Sequence, residues 1–268
     1  MELQVDELEE SIVPDLDAYL RKDLLSNVYT IYDLRYERCS KAKFYVAKDR
    51  DRIAGVLLKY RGYPYAIAVA LGSREAVHSL LGKVPIEKML LLGTPELTKI
   101  LEEKFPNAPK YGVNIMALDN HVANPITITQ VRRLGVEDAH AWAQSVAHRV
   151  GQNQAPTNEA LLEAQRLLTK NTAFGIYDAG MLVARATSHV QLPEAWAIGG
   201  VFTEPDYRGR GLATSVTSAL VQEALRYTNR VVLFVRSDNA PANHLYETIG
   251  FRNIAKRTWL DVGTGITP

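Results

Sequence analysis

One order of patterns occurs twice along this chain: strand, strand, strand, helix, strand, helix, strand. In the first half "KFYVAKD" and "RIAGVLLKY" are β-like runs split by the turn Asp49-Arg50-Asp51, and "PYAIAVAL" is a third. Then comes the helix "SREAVHSLLG", with Ser73 as its cap and Glu75 in its first turn. "KMLLLG" is a strand, "TPELTKILEEKF" a helix with Thr94 as cap and Pro95 at its first position, and "YGVNIMAL" a closing strand. Two helical segments, about Asp6 to Leu25 and Val28 to Arg38, precede this set. The second half opens with the strand "PITITQVRRL" and the helices "GVEDAHAWAQSVAHRV" and "TNEALLEAQRLLTK". "TAFGIYD" and "MLVARATSHVQL" follow as strands split by Ala179-Gly180, then the strand "EAWAIGGVFT" and the helix "GLATSVTSALVQEALRY". "RVVLFVR", "APANHLYETIG" and "FRNIAKRTWLDV" close the half as strand, helix and strand. The repeat is one of pattern, because residues at equivalent places do not match.

Strands alternating with helices point to an α/β (α+β) class, with two domains that each hold a mixed central sheet flanked by helices. The seam is "LDNHVANPITIT", where Asn, Asp and Pro cluster between apolar runs. The expected domains are residues 1–122 and 123–268. A length of 268 residues agrees with two domains.

Several classes are disfavoured. The formal net charge of +1 sets up no strong field toward nucleic acid or an anionic membrane. Cys39 is the sole cysteine, so neither an intrachain disulfide nor a cysteine metal cluster can form. His140 and His148 lie eight residues apart on one expected helix without a third ligand spaced nearby, so no metal is expected. The start, "MELQVDELEE", is acidic and has no apolar run of the secretory kind. No stretch reaches the roughly twenty apolar residues of a membrane span. These features read as a cytoplasmic protein.

The chemistry concentrates in "EPDYRGRGLATSVTSALVQEAL", Glu204 to Leu225. Leu212, Val216, Ala219 and Leu220 fall on one helical stripe. The helix begins near Gly211, just past a strand ending at Thr203. Its first N–H groups have no intrahelical partner and sit at the positive end of the helix dipole. Glycines there let backbone approach a ligand at positive φ. Such a turn suits a phosphate or pyrophosphate, with Arg208 and Arg210 adding charge at the rim. It is neither a Walker loop, since no Gly-Lys-Ser/Thr follows, nor the three-glycine dinucleotide fingerprint.

This loop resembles the pyrophosphate-binding motif of the GNAT superfamily, the acyl-CoA-dependent N-acyltransferases. Arg208-Gly209-Arg210-Gly211-Leu212-Ala213 meets the family's Arg/Gln-x-x-Gly-x-Gly/Ala. In the register two residues earlier, Asp206 stands where Gln or Arg is usual. Downstream, "NAPANHLYETIGF" resembles the family's Asn-x-x-Ala-x-x-x-Tyr…Gly-Phe segment, through Asn239, Ala242, Tyr246, Gly250 and Phe251. The resemblance covers about Ile126 to Val262. The first half resembles the fold by pattern alone; its "LGSREAVHSLL" lacks the glycine loop, and that domain reads as degenerate.

The resemblance implies transfer of an acetyl group from acetyl-CoA to a small-molecule or peptide amine. It implies cofactor contacts at Val201, Phe202, Thr203, Arg208, Gly209, Arg210, Gly211, Leu212, Ala213, Thr214 and Asn239. The Val201 N–H would polarise the thioester carbonyl, and Tyr246 would protonate the departing thiolate. Gly199-Gly200 is a natural place for a bulge that admits the pantetheine arm. Glu194 and His189 are both candidates for the general base, beside a plain water relay. A non-catalytic acyl-CoA-binding module stays open as the alternative, a nucleotide-binding protein is a weaker one, and homodimer formation is undecided.

Overall fold

The computed structural model describes residues 3–62, 65–119, 130–152 and 154–266. It divides into two compact units. One comprises Met1–Ile115, Phe234–Asn239 and Asn253–Pro268; the other comprises Met116–Leu233 and Ala240–Arg252.

The first unit contains β1 (Gln4–Glu7), α1 (Val13–Leu20), α2 (Val28–Tyr32), β2 (Ala42–Asp49), β3 (Arg52–Tyr60) and β4 (Ala66–Gly72). It continues through α3 (Arg74–Lys83), β5 (Met89–Gly93), α4 (Pro95–Lys104) and the start of β6 (Lys110–Asp119). Strands β1 to β4 form an antiparallel run, and β5 lies parallel to β4. Helix α3 starts where the sequence predicts, since the Ser73 hydroxyl accepts from the Ala76 N–H at 3.2 Å. Its buried side, Ala76, Val77, Leu80 and Leu81, joins the core with Leu57, Leu91, Leu97 and Leu101. The single helix expected over Asp6 to Leu25 is instead strand β1, a 3-10 turn at Glu10–Ile12, helix α1 and a 3-10 turn at Arg21–Asp23. Pro14 sits in the first turn of α1, where its missing N–H costs no helical bond, and so marks a start rather than an interior. The second expected helix is α2 running into a π turn, Asp33–Glu37.

The second unit contains β7 (Arg132–Leu134), α5 (Ala139–Arg149), α6 (Asn158–Lys170), β8 (Ala173–Asp178), β9 (Met181–Gln191) and β10 (Trp196–Thr203). Helix α7 (Leu212–Ala224), strand β11 (Arg230–Arg236) and helix α8 (Ala240–Ile249) follow, with β6 and β11 crossing the division between units. Strands β7, β8, β9 and β10 are antiparallel in that order, and β11 is parallel to β10. The β3-β4-α3-β5 arrangement of the first unit is therefore matched by β9-β10-α7-β11 in the second. Helix α7 packs on β8, β9 and β10, while α5 packs on β9 and α6. Trp142, Ala143, Ala164, Leu168 and Leu182 form a core between the sheet and α5–α6.

The units differ from the contiguous segments 1–122 and 123–268. The last strand, β12 (Arg252–Val262), pairs antiparallel with β5, from Thr258↔Gly93 to Val262↔Met89. Its Leu260 is fully buried in the first unit's core. The chain thus returns to complete the first sheet. The expected cut after Val122, and most of the seam, lie outside the described residues; of "PITITQVRRL", Arg132–Leu134 is strand.

Candidate functional site

Strand β10 and the turn after it carry the geometry. Against β9, the β10 register shifts between Gly199↔Thr187 and Phe202↔Arg185, so β10 carries an extra residue there. Gly200 takes φ +59, and a Cβ on it would lie 2.8 Å from Thr187 Cγ2, so this bulge needs glycine. On its other edge β10 is paired with parallel β11 only at Trp196↔Val231 and Ala197↔Val232. Beyond Ala197 the edge of β10 is released from the ladder. Val201, Phe202 and Thr203 lie on that released stretch, partly buried. The Thr203 Oγ1 is buried without a hydrogen-bond partner among the described residues. Buried hydroxyls without partners are uncommon, and one at a released strand edge fits a polar ligand.

The turn that follows is pinned at both ends. Arg208 Nε donates to the Thr203 carbonyl at 3.2 Å. Arg210 Nη2 donates to the Asp206 carbonyl at 2.8 Å, and its guanidinium stands 4.8 Å from the Tyr207 ring centre. The Tyr207 hydroxyl donates to Asp178 Oδ2 at 2.7 Å, tying the turn to the β8–β9 hairpin. Gly209 and Gly211 take φ +76 and +74, and a Cβ on either would meet nothing within 4 Å. Gly211 is the N-cap of α7 and supplies no side-chain acceptor, so the first amides of the helix, at Leu212, Ala213 and Thr214, are not capped by it. The space beside both glycines is open, and an α-helix of 13 residues supplies a dipole that suits an anion.

The equivalent place in the first unit is closed. There β4 and β5 stay paired over five positions, Ala66↔Met89 to Ala70↔Gly93. The Ser73 hydroxyl accepts from the Ala76 amide in the first turn of α3. A Cβ on Gly72 would lie 2.4 Å from the Ala54 carbonyl oxygen. The strands are not parted, and the helix starts from a side-chain cap rather than from an open glycine turn.

Tyr246 lies on α8, which packs on α7. Its side chain is buried, with its ring edge-on to Phe251 at 5.9 Å between centres. Burial pushes its pKa up to about 12. Gly250 ends α8 at φ +115, as the sequence predicts. Asn239 stands immediately before α8, its N–H on the Arg236 carbonyl at 3.1 Å.

The two base candidates are placed differently. His189 lies beside the bulge: a Cβ on Gly199 would sit 2.6 Å from its Cε1. Burial, with the charges of Arg149 and Arg185, pushes its pKa down to about 4, so the ring is neutral at neutral pH. Glu194 lies in the β9–β10 turn, at the end of β10 opposite the glycine loop. Five residues of extended strand, roughly 16 Å, separate Trp196 from Val201, and Glu194 is further back still. The structure does not bring Glu194 to the bulge.

A third polar group was not legible in the sequence. The Glu204 side chain is buried, and its Oε1 lies 3.0 Å from His148 Nδ1. The other nitrogen of that ring lies 2.8 Å from Gln144 Nε2. His140, Gln144, Ser145, His148 and Glu204 line a cavity of about 380 Å³ that reaches the β8–β9 turn at Ala179 and Gly180. The signal in the sequence was faint: three polar residues at helical spacing on α5, facing a glutamate 56 residues downstream of His148.

Comparison with known proteins bears on the fold. A family model described as FR47-like protein matches residues 173–260. No curated protein sequence matches the chain. Among solved structures, a Drosophila protein is 17% identical over 98% of this chain and 99% of its own, with a TM-score of 0.74. An N-acetyltransferase of the superfamily from Sphaerobacter thermophilus is 14% identical over 97% of this chain and 95% of its own, with a TM-score of 0.67. A tandem GNAT protein from the clavulanic acid biosynthesis pathway is 16% identical over the whole of both chains, with a TM-score of 0.59. At these identities the likeness establishes the fold, which is the GNAT fold in tandem.

Proposed function

We propose that this chain, a tandem GNAT-fold protein with an FR47-like segment in its second half, is an acyl-CoA-dependent N-acyltransferase. Its donor is acetyl-CoA and its acceptor a primary amine on a small molecule or peptide. One observation carries the reading: a strand parted from its parallel neighbour leads into a helix whose N-terminus opens on two positive-φ glycines. In the first unit both conditions fail.

A bound acyl-CoA supplies an activated acyl group: the amine nitrogen bonds to the thioester carbonyl carbon, the C–S bond breaks, the amine gives up one proton and CoA leaves as the thiol. The chain's own residues then have distinct tasks. The first-turn amides of α7 hold the pyrophosphate, with Arg208 and Arg210 at the rim. The backbone of Val201 to Thr203, with the Thr203 hydroxyl, receives the pantetheine amides. The Val201 N–H donates to the thioester oxygen as charge gathers there. Tyr246 gives its proton to sulfur; with its pKa at about 12 it stays protonated across the working range. For the proton lost by the amine, the His148–Glu204 pair is better suited than His189, whose depressed pKa makes it a weak base at neutral pH. A cytoplasmic location is part of the same reading, as the place where acetyl-CoA is supplied; among the described residues no helix is long and apolar enough to cross a membrane.

The test is release of CoA thiol from acetyl-CoA with a panel of primary amines. Amine-dependent release supports the enzyme. Tight CoA binding without release from any amine leaves a binding module and overturns the catalytic reading.

A further inference from the structure

The second unit buries an arginine that none of the steps above uses. Arg185 on β9 is 2% exposed. Its Nε donates to Ser145 Oγ at 2.9 Å, and its Nη1 donates to the Gly200 carbonyl at 2.7 Å. The guanidinium stands 4.6 Å from the Trp142 ring centre and 5.5 Å from that of Phe202. Its Nη2 is buried without a hydrogen-bond partner among the described residues. A buried cation whose hydrogen-bond partners are a hydroxyl and a carbonyl is expensive for a fold to keep. A methionine or leucine would fill the same space beside Trp142 at less cost. Beside the Ser145 hydroxyl and the attraction of the Glu204 carboxylate, arginine grips one carbonyl, and that carbonyl belongs to the bulge.

The Gly200–Val201 peptide is planar and trans, so its carbonyl and its N–H point in opposite directions. Arg185 holds the carbonyl from the β9 side. The Val201 N–H is therefore turned to the other edge of β10, where β11 has left the ladder. A charged donor on the carbonyl also polarises the peptide and strengthens its N–H as a donor. Gly200, at φ +59, has the freedom to rotate that such a plane needs to be held against.

We propose that Arg185 is a positioning residue of the acyl-transfer site. It locks the Gly200–Val201 peptide plane so that the Val201 N–H faces the parted edge as a preset, polarised donor to the acyl carbonyl. The inference rests on the proposed function for its kinetic consequence, but the grip itself can be read without any substrate.

The test uses the full chain as parent, Arg185→Met and Arg185→Lys. In the ligand-free, nitrogen-15-labelled proteins the Val201 amide proton resonance should move upfield in Arg185→Met and return part of the way in Arg185→Lys. With acetyl-CoA and an active amine, Arg185→Met should lose about tenfold to a hundredfold in kcat, less than the loss of a whole oxyanion donor. CoA affinity should stay at the parent value, and Arg185→Lys should recover part of the rate. A Val201 resonance that does not move, with unchanged kcat, overturns the proposal. So does a joint fall of kcat and CoA affinity in both variants, which is what loss of packing produces. If Arg185→Met does not fold, Ser145→Ala removes the Nε anchor and should give a smaller change of the same sign; no change in resonance or rate there counts against the grip. If the parent transfers no acyl group, the proposed function fails, and the Val201 resonance alone decides the Arg185 assignment.

Discussion

Gly211→Glu is the sharpest single perturbation of the glycine turn. The residue sits at φ +74, so any side chain there bears left-handed strain of about 1–2 kcal/mol. No heavy atom lies within 4 Å of the added Cβ, so packing adds nothing to that cost. The variant should therefore fold with a modest loss of stability. Binding should suffer much more. A carboxylate placed ~5 Å from a phosphate charge costs about 1 kcal/mol in bulk water and about 3 kcal/mol at an effective dielectric of 20. Two phosphate charges at this exposed turn give at least about 2 kcal/mol, or more than about tenfold in affinity. Gly211→Ala carries the same strain without the charge and serves as the control. The assay is calorimetric titration of CoA into parent, Ala and Glu proteins, with thermal unfolding of each alongside. The expected order of affinity is parent, then Ala close behind, then Glu far below. A folded Glu variant that binds CoA as the parent does would refute the anion site at α7.

Tyr246→Phe keeps the ring against Phe251 and removes one hydroxyl; turnover should fall by about a hundredfold, at the lower end for a general acid, with CoA affinity unchanged, and unchanged turnover would reduce Tyr246 to a packing residue. Glu204→Gln should lower kcat by about a hundredfold while leaving CoA affinity in place; a rate equal to the parent's removes the His148–Glu204 pair from proton transfer. His189 gives a stability prediction, since its folded pKa of about 4 lies below the ordinary 6.5. Between those values the unfolded chain binds more protons, so stability is fully present above about pH 6.5 and falls as pH drops toward 4, by at most about 3 kcal/mol. Chemical denaturation from pH 7 to 4 should show this slope in the parent and a shallower one in His189→Gln; equal slopes would contradict the burial argument.

What the sequence made legible was local. The Ser73 cap, the Ala179-Gly180 turn and the glycine that ends α8 each follow from a residue and its near neighbours, whereas Thr94, read as a cap, stands before α4 without a side-chain cap hydrogen bond. The α7 loop was legible for the same reason, because a helix N-terminus, two glycines and a preceding strand are contiguous. The destination of β12 was not, because its pattern permits any apolar strand as partner and the register with β5 is set by packing between residues as far apart in sequence as Gly93 and Thr258. Strand β1 was hidden because the alternation in "QVDE" is too short to outweigh an acidic run that reads as helix. Arg185 was visible only as a charge inside the apolar run "MLVARATSHVQL"; its role depends on a carbonyl that a bulge turns toward it. The His148–Glu204 pair joins a helix to the end of a strand, and the helical spacing on α5 gives only its helix side, not the glutamate it meets.

Donor binding is assigned to β10 and the start of α7, with the matching place in the first unit paired and capped. Amide hydrogen exchange on the intact chain, with and without saturating acetyl-CoA, tests this most directly. Exchange should slow at Val201, Phe202 and Thr203 and across Gly209 to Thr214, while the amides from Ser73 to Val77, at a helix start capped by Ser73 beside strands that stay paired, exchange as before. Slowed exchange at Ser73 to Val77, or unchanged exchange across the glycine turn, would contradict it.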